Sequence, residues 1–312
     1  MAVALECIPS TRCRDISTIA LAENGSPVRV TGRITGPEAA PVLLVLGGIS
    51  SGRVVADSAD ETGWWSVQAG PGKAIDTDSR RILSFDFVGD ELSPFPTTRD
   101  QARAILALAD AAEIDRFDIA GSSYGGMIGL CLAELAPERV GKLLAISGAH
   151  RACAMAQAWR SIQRETVELA LRLGDGKAGL DIARRLAMTT YRTPDELEER
   201  FYEPDPDCRD ASGVAAYLQA RGRDYADTVT PERFLALSRS MDAHCVDLSK
   251  IRCPVTYLAV QEDRLVPVSQ MAEAAEATPK GVLKTIRSRY GHDAFLKEEA
   301  IVAQTLKDFL GD

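Results

Sequence analysis

The sequence predicts an α/β protein with a mostly parallel central sheet, helices on both faces and one long helical insertion. Three observations predict it. Continuously apolar runs of strand length ("PVLLVLGG", "RILSFDF", "VGKLLAISG", "CPVTYLAV") read as strands covered on both faces. Between most such runs lie apolar residues at helical spacing, the alternation that right-handed crossovers of a parallel sheet require. That rhythm stops after Gly148 and resumes near Cys253, with only helical patterns between. The expected organisation is a core from residues 1–150 and 246–312 around a helical lid spanning residues 151–245.

Taken in order, "DISTIAL", a turn at "AENGS" and "PVRVTGRI" read as an antiparallel start. The segment "SSGRVVADSADETGWWSVQAGPGKAIDT" is a long irregular excursion, and excursions of that length inside a compact domain are usually functional or disordered. From Thr98, residues Ala102, Ile105, Leu106, Leu108 and Ala109 predict a helix that breaks near Asp115. "RFDIAG" predicts a strand, "YGGMIGLCLAELA" a helix, and "VGKLLAISG" a strand. The insertion carries "AQAWRSIQRETVELALRLG", "GLDIARRLAMTTY" and "PDELEERF", all helical. The core then closes with strand "CPVTYLAV", helix "VSQMAEAAEA", strand "VLKTIRS" and a last helix from Ala294 to Leu310.

Composition narrows the function. The chain has 312 residues and a net charge of -9, with no basic cluster to offset repulsion from phosphates, which argues against nucleic-acid binding. No apolar run is long enough to span a membrane, and "MAVALECIPSTRCRD" does not read as a signal peptide. Seven scattered cysteines without a CxxC pair (Cys7, Cys13, Cys131, Cys153, Cys208, Cys245, Cys253) read as thiols of a reducing cytoplasm, with neither a disulfide framework nor a metal site.

Gly121-Ser122-Ser123-Tyr124-Gly125 fits G-x-S-x-G between a predicted strand and a predicted helix. A nucleophile on so sharp a turn needs small flanking residues, and the following helix sets the Tyr124 N–H beside a developing oxyanion. Alone, the pentapeptide also fits a plain Gly-rich βα turn. A serine needs a base, and the chain has three histidines: His150, His244 and His292. Only His292, in "RSRYGHDAF", follows the last strand at the sheet edge where Ser123 is expected. Asp263, in "QEDRLVP", follows the preceding strand and completes the order Ser, acid, His, with Glu262 as its neighbour. The loop after "PVLLVLGG" offers the Ile49 N–H as second oxyanion donor, although its glycines also simply end a strand. Together these residues predict an α/β-hydrolase fold that forms an acyl-Ser123 intermediate.

Hydrolase and acyltransferase share that machinery. "GWW" at 63–65, "GPGKAIDT" at 70–77, "GSSYGGMIGL", "DIARRLAMTTYR", "EDRLVP" and "YGHDAF" together resemble the homoserine O-acyltransferases, in order from about residue 41 to the C-terminus. The resemblance implies Ser123, Asp263 and His292 as nucleophile, acid and base. It implies Asp293 as the group that binds the acceptor's ammonium, and Arg184 and Tyr191 as residues that hold its carboxylate. A zwitterionic acceptor needs that pair of opposite charges. From the residues alone, Arg184 also reads as a surface helix residue beside Arg185, and Asp293 as a helix cap. The resemblance further implies acyl-CoA as co-substrate with no bound cofactor, small-molecule substrates, a homodimer through the lid, and a cytoplasmic place in methionine biosynthesis. The chain departs from the family pattern at "ELSPFPTTRD" and at "LGGISSG", both expected beside the pocket. Acetyl and succinyl donors, and homoserine and serine acceptors, therefore all stay open, as does an esterase on the same scaffold.

Overall fold

The computed structural model describes residues 13–202 and 212–311. Cys7 and Cys208 lie outside them. An antiparallel hairpin of β1 (Cys13–Leu21) and β2 (Pro27–Thr35) opens the chain. It is followed by β3 (Val42–Leu46), a small parallel pair β4 (Ala69–Gly70) and β5 (Ile75–Asp76), and β6 (Arg81–Phe85). Then come α1 (Thr98–Ala111), β7 (Phe117–Ser122), α2 (Tyr124–Leu135) and β8 (Val140–Ile146). After the insertion follow β9 (Val255–Val260), α8 (Val268–Ala277) and β10 (Gly281–Ile286), and the chain ends with α9 (Ala294–Lys297) and α10 (Glu299–Leu310), the helices of the insertion taking α3 to α7.

The main sheet runs β1-β2-β6-β3-β7-β8-β9-β10. The pairs β1/β2 and β2/β6 are antiparallel and all others parallel. The central strands are buried on both faces: Leu43, Leu44, Ile119, Ala120, Leu143 and Leu144 face two separate apolar layers. A parallel arrangement gathers the carboxyl ends of β3, β7, β8, β9 and β10 along one edge, and every loop that carries chemistry leaves from it.

Between β8 and β9 stand α3 (Ala154–Arg172), α4 (Gly176–Tyr191), α5 (Pro194–Phe201), α6 (Ser212–Thr228) and α7 (Pro231–Ala243). Two starts combine a threonine cap with proline in the first turn, Thr193-Pro194 and Thr230-Pro231. The block has its own apolar centre in Val167, Leu180, Ala183, Tyr225 and Phe234. Its two ends are joined by an antiparallel bridge between Arg151 and Cys245, so it leaves and re-enters the core at one place. Among the described residues, no helix is long and apolar enough to cross a membrane, and the five described cysteines are free thiols.

Two segments differ from expectation. The last helix is not continuous: Glu298 leaves helical conformation at ψ 62°, and its carboxylate accepts from the Ser288 hydroxyl at 2.7 Å, drawn back toward the loop that carries His292. The excursion after β3 is ordered through its tryptophans. Trp64 and Trp65 stack with centroids 5.2 Å apart, and the Trp65 indole N–H donates to the Phe295 carbonyl at 3.1 Å.

Helix α2 packs hard against β3, since a Cβ on Gly125 would stand 2.5 Å from the Leu46 carbonyl oxygen. Gly125→Ala must therefore push the helix away, and overpacking of this kind costs about 1–3 kcal/mol. The expected result is a lowered urea midpoint; an unchanged midpoint would mean that α2 moves freely off β3.

Candidate active site

Ser123 occupies the corner between β7 and α2 at φ 54°, ψ -119°, in the positive-φ region that side chains rarely adopt. Neighbouring residues allow no Cβ: one on Gly121 would stand 2.4 Å from the Gly125 carbonyl oxygen, and one on Gly148 2.8 Å from that of Ser123. The corner holds through Ser123 N–H donating to the Ile146 carbonyl at 2.8 Å and Gly125 N–H donating to the Gly47 carbonyl at 2.9 Å.

His292 Nε2 lies 2.8 Å from Ser123 Oγ, and His292 Nδ1 lies 2.8 Å from Asp263 Oδ2. An ionised carboxylate only accepts, so Nδ1 carries the proton and donates to Asp263. In the neutral ring Nε2 is then the acceptor for the serine O–H. Asp263 is itself fixed, its Oδ1 accepting from the Leu265 and Val266 N–H groups at 2.8 and 3.0 Å. The three side chains expected from sequence therefore form one continuous hydrogen-bonded chain. Glu262 belongs elsewhere, accepting from the Ser288 N–H and pairing with Arg287.

The other two histidines are spoken for. His244 is buried, with Nε2 3.2 Å from the Ala149 carbonyl and Nδ1 2.9 Å from Thr98 Oγ1, and burial holds its pKa down at about 3. His150 sits 3.5 Å from Glu273, its pKa lowered by burial. Burial also lowers the pKa of His292, but the charge and hydrogen bond of Asp263, aided by the charge of Asp293, outweigh it and leave the pKa above the ordinary 6.5.

The Gly48–Ile49 backbone passes close to the nucleophile: a Cβ on Gly48 would be 3.8 Å from Ser123 Cβ. Ile49 lines the cavity in front of Ser123. The Tyr124 N–H belongs to the first turn of α2, where the geometry of a helix supplies no intrahelical acceptor. The Tyr124 side chain has a second task that the sequence did not reveal. It is fully buried, and its hydroxyl lies 2.7 Å from Ser240 Oγ on α7, tying the lid to the nucleophile helix.

The cavity measures about 210 Å³ and is bounded by the core loops on one side and the lid on the other. Its lid wall includes Arg160, Arg184, Tyr191 and Tyr225. Residues 41–299 match the model of the alpha/beta hydrolase fold family. A homoserine O-succinyltransferase from Xanthomonas campestris pv. campestris is 42% identical over 292 residues, covering 90% of this chain and 79% of that protein. A homoserine O-acetyltransferase from Thermus thermophilus is 30% identical, over 80% of this chain and 72% of its own. The chain belongs to the homoserine O-acyltransferase family. It is an acyltransferase on the α/β-hydrolase fold, which acts on small-molecule substrates. The solved homoserine O-acetyltransferase from Staphylococcus aureus shares that fold at a TM-score of 0.82 and 24% identity, over 96% of this chain and 94% of its own.

The residues that the resemblance singled out in this acyltransferase converge on the same cavity. Arg184, not Arg185, faces it. Arg185 turns away and makes a two-pronged pair with Asp181. The Arg184 guanidinium lies 4.5 Å from the Tyr225 ring centroid and 5.4 Å from that of Tyr191, and its Nε is buried without a hydrogen-bond partner among the described residues. Tyr191 also lies beside the base, its ring centroid 5.8 Å from that of His292. Asp293 lines the cavity; it stands at the N-cap position of α9, but its side chain makes no capping bond and its Oδ2 instead pairs with the Nε of Arg192 at 2.9 Å, a residue that sequence reasoning missed.

Because the base acts in its neutral form, a raised His292 pKa puts the acid limb of kcat/KM above pH 6.5. Asp263→Asn removes the largest raising influence and leaves burial. The limb should then move to lower pH while the plateau rate falls, by about 10⁴-fold on the precedent of comparable triads. A limb that stays in place would show that Asp263 does not govern the base.

Proposed function

We propose that the protein transfers an acyl group from an acyl-CoA thioester to the side-chain hydroxyl of L-homoserine, by a ping-pong route through acyl-Ser123. The observation that carries this reading is a hydrogen-bonded Ser123–His292–Asp263 chain opening on one cavity that also holds a guanidinium, Arg184, with no ion pair among the described residues, and a carboxylate, Asp293. That is a nucleophile facing a binding site for a zwitterion.

In the first half-reaction Ser123 Oγ attacks the thioester carbonyl and His292 Nε2 takes its proton. The tetrahedral oxyanion is held by the N–H groups of Tyr124 and Ile49. Its collapse expels the coenzyme A thiolate, which recovers the proton from His292. In the second, His292 removes the proton of the homoserine hydroxyl as its oxygen attacks the acyl-serine carbonyl. Collapse then returns the proton to Ser123. Arg184 holds the acceptor carboxylate beside Tyr191, and the Asp293 oxygen not engaged by Arg192 receives the ammonium. The chemistry asks for no cofactor beyond acyl-CoA as co-substrate, and it suits a cytoplasmic step of sulfur amino-acid biosynthesis.

The reading is tested by incubating purified protein with succinyl-CoA or acetyl-CoA and homoserine, serine or no amino acid, while following thiol release. Acceptor-dependent release, fastest with homoserine, is expected. Equal release without an amino acid would make the protein a hydrolase, and a stronger response to serine would reassign the acceptor.

A homodimer through the lid is supported by the outer face of α3. Met155, Ile162 and Leu169 are spaced by seven residues and are 57%, 53% and 52% exposed, continuous with Leu173. Such a stripe suits a helix-to-helix contact with a second copy. Light scattering should give a dimer for the native protein and a monomer for the Ile162→Glu/Leu169→Glu variant; a native monomer would remove the assignment.

A further inference from the structure

The junction between α4 and α5 is laid directly on the loop that carries the base. A Cβ on Gly291 would stand 2.9 Å from the Tyr191 carbonyl oxygen, and the Thr193 hydroxyl donates to the Arg289 carbonyl. Between these contacts Arg192 reaches Asp293, its Nε 2.9 Å from Oδ2. The N–H is not aligned on that oxygen, so the attraction is one of charge. On its other side Arg192 Nη1 meets Glu196 Oε1 of α5 at 3.4 Å, the two side chains being 8% and 5% exposed. Glu196 Oε2 is buried without a hydrogen-bond partner among the described residues, and the half-exposed Arg200 stands 3.8 Å from Oε1.

One buried guanidinium is thus shared by two carboxylates, of which only Asp293 lines the cavity. A buried carboxylate is costly unless a cation meets it. Arg192 meets Asp293 in part, because Glu196 draws on the same charge. A carboxylate so placed still attracts a second cation from the cavity, while Arg192 fixes the way it turns. Complete pairing would cancel that attraction. No pairing would leave a loose negative charge beside the base.

We infer that Arg192 is a positioning residue for the acceptor site: it turns Asp293 toward the incoming ammonium, and Glu196, by taking part of the Arg192 charge, leaves Asp293 able to bind it. The inference rests on the amino-acid acceptor reading above and adds the two residues that stand behind its ammonium site. Neither Arg192 nor Glu196 lines the cavity, so both act through Asp293.

The test compares kcat/KM for homoserine and for 4-hydroxybutyrate, the same molecule without its ammonium, with succinyl-CoA or acetyl-CoA as donor. Native protein should prefer homoserine by about 100-fold or more. In Arg192→Gln that ratio should fall by about tenfold or more, in Glu196→Gln it should fall less, and Arg192→Lys should keep part of it. A ratio measured within one preparation does not depend on how much of the variant is folded, and general loosening of the lid would slow both acceptors alike. The charge is read separately, in the pH profile of Ser123 acylation without acceptor. The charged and titratable groups around His292 are Asp263 after β9, Asp293 on its own loop, Tyr191 and Arg184 on α4, and Arg160 on α3. Without the Arg192 cation, Asp293 favours the protonated ring more strongly, so the acid limb of Arg192→Gln should move to higher pH. In Glu196→Gln the Arg192 charge bears wholly on Asp293, and the limb should move to lower pH. A homoserine preference that survives in Arg192→Gln, or limbs that stay in place or move the same way in both variants, overturns the inference and leaves the transferase reading intact. Native protein that uses both acceptors equally removes Asp293 as the ammonium site and the inference with it. Absence of acceptor-dependent thiol release with homoserine removes the transferase reading itself.

Discussion

The site depends on a backbone torsion that a serine ordinarily avoids. Ser123 sits at φ 54°, a conformation that costs roughly 1–3 kcal/mol for a residue with a side chain. The surroundings leave it no alternative. The Ser123 N–H is bound to the end of β8, and two residues on, the Gly125 N–H is bound to the carbonyl of Gly47, just past β3. The glycines at 121, 125 and 148 let three strand ends and one helix start come closer than any Cβ permits. From this corner follow the exposure of Oγ at the sheet edge and the aim of the Tyr124 N–H. The position His292 must occupy to reach Oγ follows as well.

Electrostatics are arranged around the same corner. His292 stands between Asp263, fixed by two backbone N–H groups, and Asp293, tied to Arg192. Both carboxylates favour the charged ring that forms when the base takes a proton, against burial that disfavours it. Facing them across the cavity are the guanidinium groups of Arg160 and Arg184. The chamber is therefore polarised, negative beside the base and positive along the lid. A substrate with separated charges fits such a field in one orientation.

How much of this was legible in the sequence depended on the range of the interactions involved. The core strands and helices declared themselves through local apolar periodicity. The triad could be read because a parallel sheet delivers strand ends to one edge, and His292, unlike His150 just after β8, follows the last of them in the order Ser, acid, His. Choosing Arg184 over Arg185 required the partner: Asp181 captures Arg185 one turn away, while two aromatic rings from α4 and α6 flank Arg184. The place of Arg160 in the lid wall was silent in sequence, since it is fixed by Asp242 on another lid helix, 82 residues away. The break at Glu298 was hidden for the same reason. A continuous helical pattern does not show that Ser288 holds the Glu298 side chain.

Transfer rather than hydrolysis has to come from positioning, because acyl-Ser123 meets water and an amino-acid hydroxyl with the same base and the same oxyanion donors. Holding the acceptor in reach is worth effective concentrations far above that of bulk water, on the order of 10⁵–10⁸ M in well-oriented systems. The lid is built to supply that. It furnishes the cationic wall and covers one side of a cavity of about 210 Å³. It is also joined to the nucleophile by the buried Tyr124–Ser240 contact, from the residue that follows Ser123 to helix α7. A lid anchored at that point cannot lift away without disturbing the first turn of α2, where the oxyanion N–H resides. Closure of the acceptor site and competence of the nucleophile are thereby one mechanical condition.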